Sequence, residues 1–257
     1  MKRAEQRLLV DIGNTNITFG LTDTKRIKRI FRIGTRRGIT SHELMTHYLC
    51  HLGPEERSSI GLALVSSVVP EVEPELKVFF EELGIRSRFI DYTAVPMKMN
   101  YRRPEELGID RLIVAYGAKE LYGQPIIVVD MGTATTFNCV GKEGSFLGGC
   151  ILPGLLTSLE SLGKKGAKLP LLEDLRPPPR LLSDNTADAM RGGILYGYAS
   201  LIEGIIDRLQ KEMESEADVI LTGGLSKLIT SLLRPHIRYE PWLLMHGLMT
   251  LSRSQSL

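Results

Sequence analysis

The chain has 257 residues, of which 43% are hydrophobic, and its 32 basic residues nearly balance 30 acidic ones for a formal net charge of +2. At ~100–200 residues per domain this suggests two domains with a sizeable core. The near-neutral balance argues against a nucleic-acid or anionic-membrane partner, and no apolar run approaches the ~18 residues that a membrane span needs.

Residues 1–7 lack the apolar centre of a signal peptide, so a cytoplasmic protein is expected. Residues 7–33 read as three strands, Arg7 to Ile12, Asn16 to Thr22 and Ile27 to Ile33, with a turn at Thr22-Asp23-Thr24-Lys25. Lys25, Arg26, Lys28, Arg29, Arg32, Arg36 and Arg37 form a basic segment, which without aromatic interleaving reads as a solvated face. A helix is expected from Ser41 to Leu52, stopped by Gly53-Pro54. It carries His42, His47, Cys50 and His51, but His42 and His47 are too far apart to share a helix face, and nothing suitably spaced completes a metal site around His47 and His51. A strand at 60–65 runs into Ser66-Ser67-Val68-Val69-Pro70, followed by a helix from Glu71 to Leu83 and a strand from Ser87 to Ile90. These elements make one α/β lobe.

The connector from Val95 to Pro104 reads as an extended loop that contains Tyr101. Gly108-Ile109-Asp110-Arg111 then opens a helix that runs to about Leu121. Spacing alone admits two readings there: Asp110 as a cap with Arg111 in a surface ion pair, or the pair as part of a ligand site.

The second half repeats the plan, with strands at 126–131, 134–140 and 143–149, a helix from Leu155 to Leu162 and a basic loop from Gly163 to Pro170 that is no Walker A motif. After the stiff Pro177-Pro178-Pro179 comes the longest helix, Thr186 to Met213, opened by Asn185 with Asp188 three residues on. A strand at 219–221 leads through Thr222-Gly223-Gly224, whose glycines suit a nucleoside lying against bare backbone, into a helix expected from Leu225 to Leu233. The stretch from Pro241 to Leu251 reads as a terminal helix anchored by Trp242. Domains are therefore expected at 1–120 and 121–257. Cys50, Cys139 and Cys150 are odd in number and read as free thiols, with Cys139 and Cys150 in apolar or glycine-rich strand contexts.

One pattern occurs twice. Residues 126–136 and 8–21 each run from an apolar strand into Asp-x-Gly and then small polar residues, with Asp130-Met131-Gly132-Thr133 in one copy and Asp11-Ile12-Gly13-Asn14-Thr15 in the other. A single copy would pass for a plain hairpin turn. Two copies, each following a strand, point to a phosphate-holding device, because the glycine admits a ligand to the backbone and a carboxylate at a strand exit needs cations or donors.

Paired Asp-x-Gly hairpins with a late glycine turn resemble the actin, Hsp70 and sugar-kinase superfamily, in which each hairpin grips part of the ATP triphosphate. Within it the chain is similar, nearly end to end, to the type III pantothenate kinases. The resemblance rests on the two hairpins, Ser66 to Pro70, Gly108 to Arg111, Gly148-Gly149, Lys168-Leu169-Pro170, Asn185-Thr186 and Thr222-Gly223-Gly224. It implies an α/β fold of two duplicated actin-like (ribonuclease H-like) lobes, each a mixed sheet flanked by helices.

The resemblance also implies roles. Asp11, Ile12, Gly13, Asn14, Thr15, Asn16, Ile17, Thr18 and Thr133 would bind ATP, with Asp11 towards the Mg2+ shell. Asp130 would ligate a monovalent cation, K+ or NH4+. Tyr101, Gly108, Ile109, Asp110, Arg111 and Thr186 would form the pantothenate pocket near a homodimer interface, with Asp110 as general base. Ile109 stands where the family usually has alanine. The expected activity is ATP-dependent phosphorylation of pantothenate to 4'-phosphopantothenate. A non-catalytic ATP-binding accessory protein is the alternative, opposed by the presence of Asp11, Asp110, Arg111 and Asp130. Another small-molecule kinase is opposed by Arg111 and Tyr101, since a sugar requires no carboxylate clamp.

Overall fold

A computed structural model describes residues 6–23, 25–165, 172 and 174–253. Thr24 of the first turn, residues 166–170 of the basic loop, and with them Lys168-Leu169-Pro170, lie outside the described residues. The chain divides into two compact units, the first comprising residues 1–97, 102–120 and 243–257, and the second 98–101 and 121–242. The boundary expected at 120/121 places residues 243–253 with the second half, whereas the structure groups them with the first unit.

In the first unit β1 (Gln6–Ile12), β2 (Asn16–Thr22) and β3 (Ile27–Gly34) form an antiparallel meander. β4 (Ile60–Ser67) joins β1 in parallel and β5 (Arg86–Phe89) joins β4, giving the order β3-β2-β1-β4-β5. α1 (Ser41–His51) starts from a capping box in which Thr40 and Glu43 satisfy each other's backbone N–H groups. After a single turn, α2 (Pro54–Arg57), and a 3-10 turn at Pro70–Val72, α3 (Glu73–Glu82) begins with Pro74 in its first turn, where a missing N–H costs nothing. The stretch expected as one helix from Glu71 is therefore two pieces.

One face of this sheet buries Leu8, Val10, Ile12, Ile17 and Phe19 against Leu44, Tyr48, Leu76 and Phe79 of α1 and α3. Towards the other face lies α7 (Leu243–Arg253): a Cβ on Gly20 of β2 would come 3.1 Å from the Met245 sulfur. α4 (Ile109–Tyr122) meets α7 glycine to glycine, since a Cβ on Gly117 would fall 2.8 Å from the Gly247 Cα. These three glycines let the terminal helix reach the first unit.

The second unit repeats the sheet plan. β6 (Ile126–Met131), β7 (Ala134–Val140) and β8 (Phe146–Gly148) are antiparallel, and β10 (Asp218–Thr222) and β11 (Arg238–Tyr239) add in parallel, for the order β11-β10-β6-β7-β8. A short β9 (Ile151–Pro153) also pairs with β7. α5 (Leu155–Lys165) and α6 (Thr186–Glu212) flank it, and Ile127, Val129, Met131 and Phe137 pack against Leu195, Tyr198 and Ile202 of α6. Both sheets are thus mixed and flanked by helices, as the resemblance implied.

Three details differ from the sequence reading. The strand expected at 143–149 shortens to Phe146–Gly148, and the helix expected to stop at Leu162 continues to Lys165. Residues 225–233 form two 3-10 turns, Ser226–Leu228 and Thr230–Leu232, in place of a helix. The Ser226 hydroxyl donates to the Gly223 carbonyl at 2.5 Å and the Thr230 hydroxyl to the Lys227 carbonyl, local bonds that compete with a helical ladder.

Within the basic segment Lys28, Arg29, Arg36 and Arg37 pair with Asp23, Glu56, Glu43 and Glu71. His51 stacks on Phe31 with ring centroids 4.5 Å apart. Cys139 is buried, Cys150 half-buried and Cys50 exposed, all as free thiols. No helix among the described residues is long and apolar enough to cross a membrane.

Candidate active site

Strand alternation sends Val10 and Ile12 into the core and puts Asp11 on the opposite face of β1. There the hydroxyl of Ser66, on the neighbouring parallel strand, donates to Asp11 Oδ1 at 3.0 Å. Of the expected ATP-binding run, Ile12 and Ile17 pair at the neck of the hairpin and are fully buried, and Thr18 is buried opposite Asp11. Asn14, Thr15 and Asn16 stand exposed at the tip. The turn closes through Gly13 N–H donating to the Asn16 carbonyl at 3.0 Å. Thr35, just beyond β3, holds it from outside: its N–H donates to the Thr15 carbonyl at 2.9 Å and its hydroxyl to the Gly13 carbonyl at 2.6 Å.

The second hairpin is one residue shorter, with Met131 and Thr135 paired around 132–134 where Ile12 and Ile17 pair around 13–16. Asp130 is half-buried at the exit of β6, with Thr136 opposite it in register. The Thr136 hydroxyl accepts from the amide of Asn138, which is fully buried, at 3.0 Å. Thr133 is exposed at the turn, and its carbonyl accepts the Gly154 N–H at 3.1 Å and the Thr157 hydroxyl at 2.9 Å. Gly223, at φ +95°, closes on the strand end: a Cβ there would meet Asp130 Oδ1 at 2.5 Å and the Met131 nitrogen at 2.6 Å.

At the start of α4 a Cβ on Gly108 would fall 2.6 Å from Asp110 Oδ1, so the glycine leaves room for the carboxylate to fold back on the helix. Oδ1 accepts the Arg111 N–H at 2.8 Å. Burial pushes the Asp110 carboxyl above its ordinary range, opposed by the Arg111 amide, the Arg111 charge and its own amide. Asp110 thus binds a first-turn N–H from within the helix, and Arg111, only 9% exposed, is no surface residue. Ile109 is buried beside it.

Tyr101 belongs to the second unit because residues 98–101 add to the edge at β8, through Phe146 N–H to the Lys98 carbonyl and Asn100 N–H to the Phe146 carbonyl, both 2.8 Å. Its ring lies 5.9 Å from that of Phe146, and a Cβ on Gly148, at φ +103°, would meet it at 3.5 Å. Thr186 is the exposed first residue of α6, behind the Asn185 cap whose oxygen accepts the Asp188 N–H. That cap is held in turn by Arg191, which donates to Asp188 and to the Asp174 carbonyl.

The structure therefore gathers Asp11 to Thr18 and Gly108 to Arg111 in the first unit, and Tyr101, Asp130, Thr133 and Thr186 in the second. Thr35, Asn138, Gly154 and Thr157 were not among the site residues expected from the sequence, and Thr136 entered only as the end of the hydroxyl-bearing run 132–136. Only the hydroxyl-rich run after Gly132 gave a signal for any of them. Among the described residues no three His, Cys, Asp or Glu side chains are gathered to hold a metal ion. The donor set does fit weaker, oxygen-held cations: carboxylates at two strand ends, with the Ser66 hydroxyl on Asp11 and Thr136 opposite Asp130.

Comparison with known proteins agrees with this architecture. A conserved protein from Campylobacter jejuni, described as belonging to the Baf family of transcriptional activators, superposes with a TM-score of 0.65 at 20% identity, covering 96% of this chain and 97% of that one. Acetate kinase from Porphyromonas gingivalis gives a TM-score of 0.56 at 13% identity, covering 97% of this chain and all of that one. At these identities the likeness is one of fold alone. In sequence, the type III pantothenate kinase of Moorella thermoacetica is 38% identical over 247 residues, 94% of this chain and 96% of that protein. The family described as type III pantothenate kinase matches residues 7–208, which takes in both hairpins and the start of α4, and the chain belongs to that family.

Proposed function

We propose that this chain phosphorylates pantothenate with ATP to give 4'-phosphopantothenate, the first step of coenzyme A biosynthesis. The observation that carries the reading is the Gly108–Arg111 helix start in a member of this family: a carboxylate raised by burial beside a buried guanidinium. The planar fork of Arg111 takes the substrate carboxylate in two parallel hydrogen bonds. Asp110 accepts the proton of the attacking primary hydroxyl, and its raised pKa makes it a stronger base than an exposed aspartate. Tyr101, a ring fixed by Phe146 and Gly148, and Thr186 at the start of α6 are the further pantothenate-binding residues that the family resemblance implies.

Phosphoryl transfer proceeds through a loose transition state, so positioning and charge neutralisation outweigh proton removal. The exposed turns at Asn14–Asn16 and at Thr133 are each read as a phosphate-binding element. Asp11, braced by Ser66, is the carboxylate that would hold the magnesium shell, and Asp130, with Thr136 opposite it, would hold a monovalent cation, K+ or NH4+. When bound, these cations offset the negative charge of the triphosphate. The soluble substrates suit the cytoplasm. The exposed Gly193, Gly197 and Leu201 on α6 suit a homodimer, for which sedimentation of a fully active monomer would be the contrary result.

Mass spectrometry of the purified protein with ATP, magnesium and pantothenate tests the reaction. Phosphopantothenate is the expected product. ATP binding without any phosphorylated product would instead mark an accessory protein.

A further inference from the structure

We infer that Thr35 and Thr157 are positioning residues that aim the two phosphate turns, an inference that rests on the ATP-binding role proposed for those turns. Each turn receives a threonine hydroxyl on one of its carbonyls from further along the chain, Thr35 beyond β3 to Gly13 at 2.6 Å and Thr157 of α5 to Thr133 at 2.9 Å. Each carbonyl region is held a second time by a backbone N–H, Thr35 to the Thr15 carbonyl in the first turn and Gly154 to the Thr133 carbonyl in the second. A trans peptide is planar, so the N–H of the next residue points opposite to the carbonyl. Fixing the Gly13 and Thr133 carbonyls towards their threonines therefore turns the N–H groups of Asn14 and Ala134 the other way. Backbone donors aimed outward from a tight turn make an anion-binding concavity. The turns occupy different lengths, 13–16 and 132–134, yet each receives the same kind of brace from outside its own two strands.

A threonine hydroxyl at such a place sets direction as well as stability. Without it, the Gly13 carbonyl loses its hydroxyl partner and the Thr133 carbonyl keeps the Gly154 N–H alone, so the N–H groups hold their common aim less firmly, which weakens the hold on phosphate and leaves groups that recognise other parts of the ligand unaffected. Thr35→Val and Thr157→Val keep the β-branched shape and remove only the donor.

The test is calorimetric titration of each variant with ATP, ADP and adenosine, beside steady-state kinetics and a melting curve. Loss of one net hydrogen bond predicts ATP binding weaker by roughly 3- to 10-fold, with adenosine binding and the pantothenate KM unchanged. Thr35→Ser and Thr157→Ser, which restore the hydroxyl, should recover ATP binding. Unchanged ATP affinity in both valine variants overturns the inference, as does a loss that tracks the melting temperature and appears equally for adenosine. Asp11→Asn separates this from the underlying reading: if it too leaves ATP binding and turnover intact, the hairpin is not a phosphate site at all. If Asp11→Asn loses ATP and the valine variants do not, only the positioning role fails.

Discussion

Gly223 lies so close against Asp130 that a Cβ on the glycine would fall 2.5 Å from the carboxylate oxygen Oδ1. Its φ of +95° is one that L side chains rarely adopt, so two constraints meet at this residue. Gly223→Ala should destabilise the protein by ~1–3 kcal/mol and displace the Asp130 carboxylate. Activity should fall further than the melting temperature explains. An alanine variant with full activity and stability would show that the close approach is unimportant.

The role of Asp130 itself is open to a simpler measurement. With a monovalent cation at that carboxylate, replacing potassium by sodium at constant ionic strength should lower the rate sharply, because a loose cage of oxygens suits the larger ion. In Asp130→Asn the difference between the two salts should disappear. Equal wild-type rates in both salts would remove the cation from the account.

Asp110 makes a prediction in pH. Burial raises its folded pKa above the ordinary value of 3.8, so the basic form appears only at higher pH. The acid limb of kcat/KM should therefore lie above the usual aspartate range, activity falling as pH drops through the folded value. The sign for stability is opposite to that of a salt-bridged aspartate. The contribution of a raised carboxyl is fully present below the unfolded pKa and lost as pH rises through the folded one. Asp110→Asn should accordingly lose kcat while melting no lower than wild type near neutrality, because the amide oxygen can still accept the Arg111 N–H. A variant that lost activity only as it lost stability would make Asp110 an acceptor for the helix start and nothing more.

Arg111 should separate from Asp110 kinetically. Arg111→Lys keeps the charge but loses the planar fork, so the pantothenate KM should rise roughly 10- to 100-fold with the KM for ATP little changed. Equal increases for both substrates would mean that Arg111 supports the fold and not the carboxylate.

The hairpins were legible in the sequence because their signals are local. An apolar run, Asp-x-Gly and small polar residues lie within about a dozen positions, and each residue's role follows from strand alternation. Gly108 before Asp110 was equally local, although spacing could not say that Arg111 would be buried. Braces across long sequence distances were not legible. Thr35 lies 22 residues from Gly13 and Thr157 lies 24 from Thr133, and no periodicity links such pairs. The return of residues 243–253 to the first unit hangs on Gly20, Gly117 and Gly247 fitting one another, a fact of shape that no single stretch displays. β9 and β11, at three and two residues, are too short for alternation to register. At 226–232 apolar spacing suggested a helix, but side-chain hydrogen bonds of Ser226 and Thr230 favoured tighter turns.

The central claim is that ATP turnover by this chain depends on pantothenate. A coupled assay of ADP release, run in potassium with magnesium and ATP, tests it most directly when pantothenate is added last. The account predicts negligible ADP before the addition, a rate that saturates with pantothenate after it, and no such response in Asp110→Asn. ADP release indifferent to pantothenate, or the same response from Asp110→Asn as from the wild type, would contradict it.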